Sequence, residues 1–208
     1  SGRYSELKPK CTQLDGIVSV LIPVKNEPLE YIDEALKHVY EWGLGGLVEV
    51  IVVTDDDRET YEEIERIAER WRKRGLEVLV LRRSTPRGFK AGALNTALWF
   101  SRGKYVCVLD VDSRVSRDFI LTACSIIREN TDVVAVTGRW FGENRDSRVA
   151  EASAYSMDFT VDLLYRGRSG LNLPVFPLGA GTVYDAWFLK TALKGWGEDC
   201  YLAEDLEI

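Results

Sequence analysis

The sequence predicts an α/β fold, a mostly parallel central sheet flanked by helices in a single domain. Two observations carry this expectation. Short apolar, β-branched runs alternate with stretches of helical period through the first 138 residues, the pattern of parallel strands joined by crossover helices. Residues able to do chemistry fall just after those runs, at the carboxyl ends where such sheets bind ligands. With 208 residues, 46% hydrophobic and 29% charged, the chain can bury one sizeable core.

Each element has a local reason. Residues 1–16 are polar and irregular, an expected N-terminal arm, and 17–208 make the domain. The first strand spans 17–24 and Pro23, with no N–H to give, ends its ladder. Pro28 is placed to open a helix, and Leu29, Ile32, Leu36, Val39 and Tyr40 carry its period to about Trp42. A second strand at 48–53 ends in Thr54-Asp-Asp-Asp57. A helix at 59–74 follows, with Asp57 suited to its N-cap and Thr60 with Glu63 to a capping box. Gly75 stops it, and 76–81 is a third strand. A basic loop, 82–88, leads into a helix at 90–101. The run Tyr105 to Leu109 reads as a strand covered on both faces. It leads into Asp110 and Asp112, which share one side of an extended segment while Val111 faces the other. Then come a helix at 118–130, a strand at 133–138, a loop at 139–146, a helix at 149–165 and a loop at 166–177. A short strand at 179–184, a helix at 186–193, a Gly-Trp-Gly turn at 195–197 and a helical turn at 203–207 complete the chain.

Composition excludes several functions. The net charge of -6 argues against nucleic acid as a partner, because a phosphate backbone needs a basic face. No apolar run approaches the roughly 20 residues that span a bilayer, and no signal-peptide pattern is present. His38 is the only histidine, and it lies in a helical period. That disfavours histidine-based triads and metal sites. The four cysteines form no C-x-x-C, and Cys107 and Cys124 read as small core residues.

The candidates for chemistry are carboxylates and cations at strand ends. Asp110 and Asp112 suit a hard divalent cation and the phosphates it carries, although an Asp-Ser turn would use the same residues. Asp55 is placed to accept from a base N–H. Arg87 and Lys90 precede a helix, where a diphosphate would meet cations and free N–H groups. Glu204 and Asp205 offer a general base for an alcohol, or simply an acidic first helical turn.

These motifs stand in a recognisable order. Val18-Ser-Val-Leu-Ile-Pro-Val-Lys-Asn-Glu27 comes first, then Val50-Ile-Val-Val-Thr-Asp-Asp56. Lys90-Ala-Gly-Ala-Leu-Asn95, Leu109-Asp-Val-Asp112, Gly195-Trp196 and Ala203-Glu-Asp205 follow. The series resembles a family 2 glycosyltransferase, in flavour a cellulose synthase-like or hyaluronan synthase-like catalytic domain. The resemblance implies a GT-A (Rossmann-like) fold and an inverting transfer from a nucleotide sugar, a UDP-sugar by the match at Asp55, to an acceptor hydroxyl on a saccharide or lipid-linked acceptor. It implies Asp55 on the uracil, Pro23 and Glu27 at the edge of the nucleotide pocket, and Lys90 near the diphosphate. Asp112 becomes the direct ligand of Mn2+ or Mg2+, with Asp110 nearer the ribose, Asp205 the general base, and Trp196 with Glu204 the acceptor side. Two departures stand out. Thr54 occupies the place of the first of two aspartates, and Asp56-Asp57 replace Gly-Ser. The Gln-x-x-Arg-Trp motif and membrane helices of processive members do not occur before Ile208. This implies a catalytic domain shortened at its C-terminal end, cytoplasmic, with membrane contact through the missing part.

Other readings use some of the same residues. A sugar-phosphate nucleotidyltransferase would show a glycine-rich basic stretch after its first strand, where Val24-Lys-Asn-Glu27 has no glycine. A D-x-D phosphatase would carry its motif on the first strand. A nucleotide-sugar-binding domain without turnover would not need Asp205 beside Asp55, Asp110 and Asp112.

Overall fold

The computed structural model describes residues 13–139, 147–171, 173 and 179–197. Six strands form one sheet, β1 Val18–Val24, β2 Val48–Thr54, β3 Glu77–Arg82, β4 Tyr105–Val108, β5 Ala135–Thr137 and β6 Thr182–Asp185, in the order β3-β2-β1-β4-β6-β5. The first four are mutually parallel, and β6 runs antiparallel to both β4 and β5. Among the described residues, six α-helices lie between the strands, α1 Leu29–Glu41, α2 Arg58–Arg72, α3 Phe89–Phe100, α4 Arg117–Glu129, α5 Arg148–Phe159 and α6 Arg166–Gly170, and α7 Ala186–Thr191 follows β6.

The period-two alternation of the strands builds the layers. Val18, Val20, Ile22 and Val24 of β1 join Val48, Val50 and Val52 of β2 under Ile32 and Leu36 of α1, Ile64 and Trp71 of α2 and Ile120 of α4. The opposite face, Leu21, Ile51, Val53, Val106 and Val108, lies under Ala91, Leu94 and Leu98 of α3 and Leu189 of α7. Helices therefore cover both faces, and the central strands are apolar apart from Ser19, Glu49 and Thr54. Each fully buried valine, leucine or isoleucine contributes about 1.5–3 kcal/mol relative to exposure.

Several boundaries differ from expectation, each for a local reason. Pro23 ends pairing only on the β4 side. The Leu21 carbonyl still takes the Leu109 N–H at 3.0 Å, but Pro23, two residues on, has no N–H for that side. Pairing with β2 continues through Val24 and Thr54. The strand β4 stops at Val108, and Asp110 to Ser113 is a turn closed by Ser113 N–H to the Asp110 carbonyl at 3.0 Å. The two aspartates thus project from a turn rather than an extended strand. The helix α2 starts at Arg58, so Asp57 caps it by accepting from Thr60 N–H at 2.8 Å. Thr60 is inside the first turn and forms no capping box with Glu63. Beyond α5 the chain continues as a π-helix, Thr160–Tyr165, into α6, where a loop was expected from 166. The expected arm up to residue 12, the loop at 140–146 and the turn at 203–207 lie outside the described residues.

A polar network ties the sheet together at the amino end. The buried Glu49 carboxylate accepts from Ser19 Oγ at 2.6 Å, Arg102 N–H at 2.7 Å and Arg102 Nε at 2.9 Å. Ser19 Oγ accepts the Gly103 N–H at 2.8 Å, joining β1, β2 and the approach to β4. Burial alone would raise the Glu49 pKa, but the bonds from Ser19 and Arg102 outweigh it and hold the carboxyl below its usual range. Its contribution is therefore present above the unfolded carboxylate pKa and is lost as pH falls through the folded value. Glu49→Gln is expected to cost about 1–3 kcal/mol at pH 7, and urea unfolding of the two proteins should show the gap closing as the pH drops below about 4.

Candidate active site

The order of the strands places the cleft. From β1 the chain steps outward to β2 and β3, then returns to the other side of β1 for β4. A crevice opens at that switch point, beyond the carboxyl ends. A cleft of about 630 Å³ lies there, lined among others by Pro23, Glu27, Tyr31, Asp55, Arg87, Phe89, Lys90, Asp110 and Asp112. Six of these, Pro23, Glu27, Asp55, Lys90, Asp110 and Asp112, are residues that sequence alone marked for the nucleotide sugar.

The carboxylates have different partners. Asp55, at the end of β2, is held by a two-pronged contact from Arg83, Nε to Oδ1 at 2.6 Å and Nη2 to Oδ2 at 2.5 Å, with side chains only 8% and 9% exposed. The same guanidinium donates Nη1 to the Arg87 carbonyl at 2.8 Å and Nη2 to the Phe89 carbonyl at 3.0 Å. Arg83 thus straps the basic loop to the carboxylate. Gly92 is required beneath it, because a Cβ there would overlap the Arg87 carbonyl oxygen. Asp110 pairs with Lys90 at 2.9 Å. Asp112 is exposed to the cleft, while Val111 between them is buried in the core. Both aspartates therefore face the cleft despite the turn.

The turn is itself clamped. Val115, three residues after Asp112, meets His38 Nε2 through its carbonyl at 2.8 Å and its N–H at 3.2 Å, and its carbonyl accepts Trp42 Nε1 at 3.1 Å. Arg114 Nη1 donates to the carbonyls of Val111 and Ser113 at 2.7 and 2.9 Å. Burial, aided by the charge of Arg114 and opposed by the Val115 bond, pushes the His38 pKa down. The lone histidine is a neutral anchor for the loop. Cys107 and Cys124 are buried free thiols, raised chiefly by burial, and sit in the core as expected.

Two expected acceptor residues stand differently. Trp196 is 4% exposed and packs edge-on against Tyr184 with ring centroids 5.9 Å apart. Its backbone N–H donates to Asn95 Oδ1 and its carbonyl accepts Asn95 Nδ2, both at 2.8 Å. It is a core ring clamped by α3, and no open face is left for an acceptor sugar. Glu204 and Asp205 lie outside the described residues. Sequence reading missed Arg83 and Asn95. Arg83 was visible only as part of a basic loop and Asn95 only as the last residue of a motif, since pairing across 28 and 101 residues leaves no local signal.

Removing one partner of the buried Asp55–Arg83 pair should leave an uncompensated charge. Arg83→Met is expected to cost about 3 kcal/mol. The double variant Arg83→Met/Asp55→Leu should recover part of that loss, a non-additivity that chemical denaturation of the singles and the double would measure.

The model of the family described as "Glycosyl transferase family 2" matches residues 19–180. A "Probable glycosyltransferase" of Sulfolobus acidocaldarius is 28% identical over 195 residues, covering 92% of this chain and 41% of that protein. "Glucomannan 4-beta-mannosyltransferase 1" of Oryza sativa is 28% identical over 163 residues, covering 70% and 29%. The chain thus spans less than half the length of these relatives. Among solved structures, a mannosyltransferase of Pyrobaculum calidifontis in complex with GDP-Man and Mn2+ superposes with a TM-score of 0.70 at 24% identity, covering 97% of this chain and 52% of that one. TarS 1-349 of S. aureus with UDP-GlcNAc gives 0.60 at 21%, covering 91% and 51%. These likenesses establish the GT-A type of fold, and with residues 19–180, well over half of the chain, inside the family match, the chain belongs to glycosyl transferase family 2.

Proposed function

We propose that this chain is the catalytic domain of an inverting glycosyltransferase that moves a sugar from a nucleoside diphosphate sugar to an acceptor hydroxyl with the help of a divalent cation. One observation carries the reading. A single cleft at the sheet's switch point is lined by the Lys90–Asp110 pair, by Asp112, by Arg87 and by the Arg83-held Asp55. The lysine-paired aspartate with Asp112 suits a diphosphate and its cation, and Asp55 suits a base.

The residues fit a cation shared with the substrate. Among the described residues, no group of three or more His, Cys, Asp or Glu is placed to hold an ion by itself. Asp112, with Asp110 beside it, offers hard oxygen ligands, and a diphosphate would complete the shell, as Mg2+ and Mn2+ sites on phosphates commonly arrange. When bound, such an ion neutralises the charge that gathers on the leaving diphosphate. Lys90 and Arg87 add positive charge at the same place. The acceptor oxygen forms its bond to the anomeric carbon as the bond to the diphosphate oxygen breaks. Asp205 takes the acceptor's proton. One displacement inverts the anomeric centre, and no protein nucleophile is required. The Asp205 role rests on the Ala203-Glu-Asp205 motif.

The donor's base has two supports. Uridine rests on the resemblance at Asp55. Guanosine is supported by GDP-Man in the Pyrobaculum structure. No helix among the described residues is long and apolar enough to cross a membrane. A cytoplasmic setting and a membrane-linked acceptor are carried by the resemblance alone.

Nucleotide release from a panel of UDP-, GDP- and TDP-sugars, with and without Mn2+, tests the proposal. Metal-dependent turnover of one donor class is expected. Asp112→Asn and Asp205→Asn should each lower kcat by about 10²–10⁴-fold with melting temperature unchanged. Full activity in either variant would refute its assignment, and binding without turnover in every variant would favour a donor-binding domain.

A further inference from the structure

Two aromatic residues at the mouth of the cleft have no role in the chemistry above. Tyr31 is 47% exposed in the first turn of α1, and Phe89 is 58% exposed as the first residue of α3. Both line the cleft. They come from opposite sides of the sheet, since α1 packs on the face that carries Val20 and Ile22 and α3 on the face that carries Leu21.

Phe89 stands in an unusual backbone. Its φ is +46°, directly after Gly88 at +67°, a left-handed conformation that bulky side chains rarely adopt. Arg83 holds it there through the Phe89 and Arg87 carbonyls, while its other contacts grip Asp55. A glycine would suit this backbone better, yet an aromatic residue stands here with 58% of its surface exposed. Strain held by dedicated contacts at a cleft points to a ligand. Its contacts say which part of the ligand. One guanidinium spans Phe89 and Asp55, whereas the next residue, Lys90, reaches Asp110 at 2.9 Å. The Phe89 backbone is thus joined to Asp55 through Arg83.

We propose that Phe89 and Tyr31 form a stacking clamp for the donor's nucleobase, with Phe89 set in its strained conformation by the Arg83 strap. The inference rests on the donor-site reading above. Stacking between a base and an aromatic ring is strong enough for one substitution to weaken binding about tenfold.

Calorimetric titration of the full-length protein separates the possibilities. GDP, UDP and inorganic diphosphate, each with Mn2+, are titrated into wild type, Phe89→Gly, Phe89→Trp and Tyr31→Ala. Phe89→Gly is expected to melt at the wild-type temperature or higher, because its backbone strain is relieved. It should bind the preferred nucleotide about tenfold more weakly and inorganic diphosphate unchanged. Phe89→Trp should keep nucleotide affinity within about threefold, and Tyr31→Ala should show the same nucleotide-only loss. Equal weakening of inorganic diphosphate in Phe89→Gly would overturn the clamp, since Phe89 would then act through the phosphate loop. Unchanged nucleotide binding in Phe89→Gly would overturn it as well. A wild-type protein that binds inorganic diphosphate but neither nucleotide would also overturn it while leaving the metal end standing. Failure to bind any of the three would remove the donor-site reading and the clamp together.

Discussion

The cleft depends on β1 pairing in parallel with β2 on one side and β4 on the other. That arrangement puts three carboxyl strand ends side by side, and Asp55, Pro23 and Asp110 become neighbours although they are far apart in sequence. It also makes β1 wholly internal, which is why, Ser19 apart, its residues are apolar on both faces. Pro23 then acts as a spacer. Without an N–H toward β4, the two strands cannot zip to their ends, and the cleft opens at that gap. The Glu49, Ser19 and Arg102 network closes the opposite edge, so the sheet is fastened at its amino ends and open at its carboxyl ends.

Partner choice decides what each aspartate at these strand ends does. Asp56 is 9% exposed and is consumed locally, accepting the Asn26 N–H at 2.8 Å and the Thr54 hydroxyl at 2.9 Å. Asp57 caps α2. Asp55 is buried against Arg83, so its orientation is fixed and a base approaching it meets a set geometry. Asp110 already has a cation in Lys90, which would have to share or shift when a diphosphate arrives. Asp112 projects into the cleft from the same turn and is exposed there. Similar residues at two strand ends thus divide into a loop tie, a helix cap, an arginine-held carboxylate, a lysine-paired one and an exposed one.

Much of this was legible in the sequence, and the misses share a cause. Alternating apolar runs reported the strands because period two and burial are local properties. The Asp57 cap was legible because a cap acts within one turn. Asp110 and Asp112 were recognised as a pair, but their shared direction was ascribed to a strand that stops at Val108, because residue type does not mark where pairing ends. Trp196 was expected to face the acceptor. Its burial depends on Asn95 and Tyr184, which no spacing rule connects to it. The continuation of helix past 165 was masked by Gly167, Ser169 and Gly170, whose weak helix propensity reads as loop. The strap from Arg83 was invisible for the same reason as the Asn95 clamp, since both are long-range pairings of polar side chains.

The departure at Thr54 shows how a motif can change while its site survives. Where the family pattern carries an aspartate, this chain has a fully buried threonine whose hydroxyl donates to Asp56 Oδ2 and accepts the Asp56 N–H at 3.1 Å. A carboxylate at that buried position would need a cation to offset its desolvation, and the nearby guanidinium of Arg83 is already taken by Asp55. A hydroxyl needs no counter-charge. The threonine therefore leaves Arg83 to Asp55, and Asp56, in place of a glycine, gains a partner that turns it toward Asn26 at φ +56°. The two substitutions act as one unit. They tie the loop after β1 to the loop after β2, and the carboxylate that faces the cleft from β2 remains Asp55.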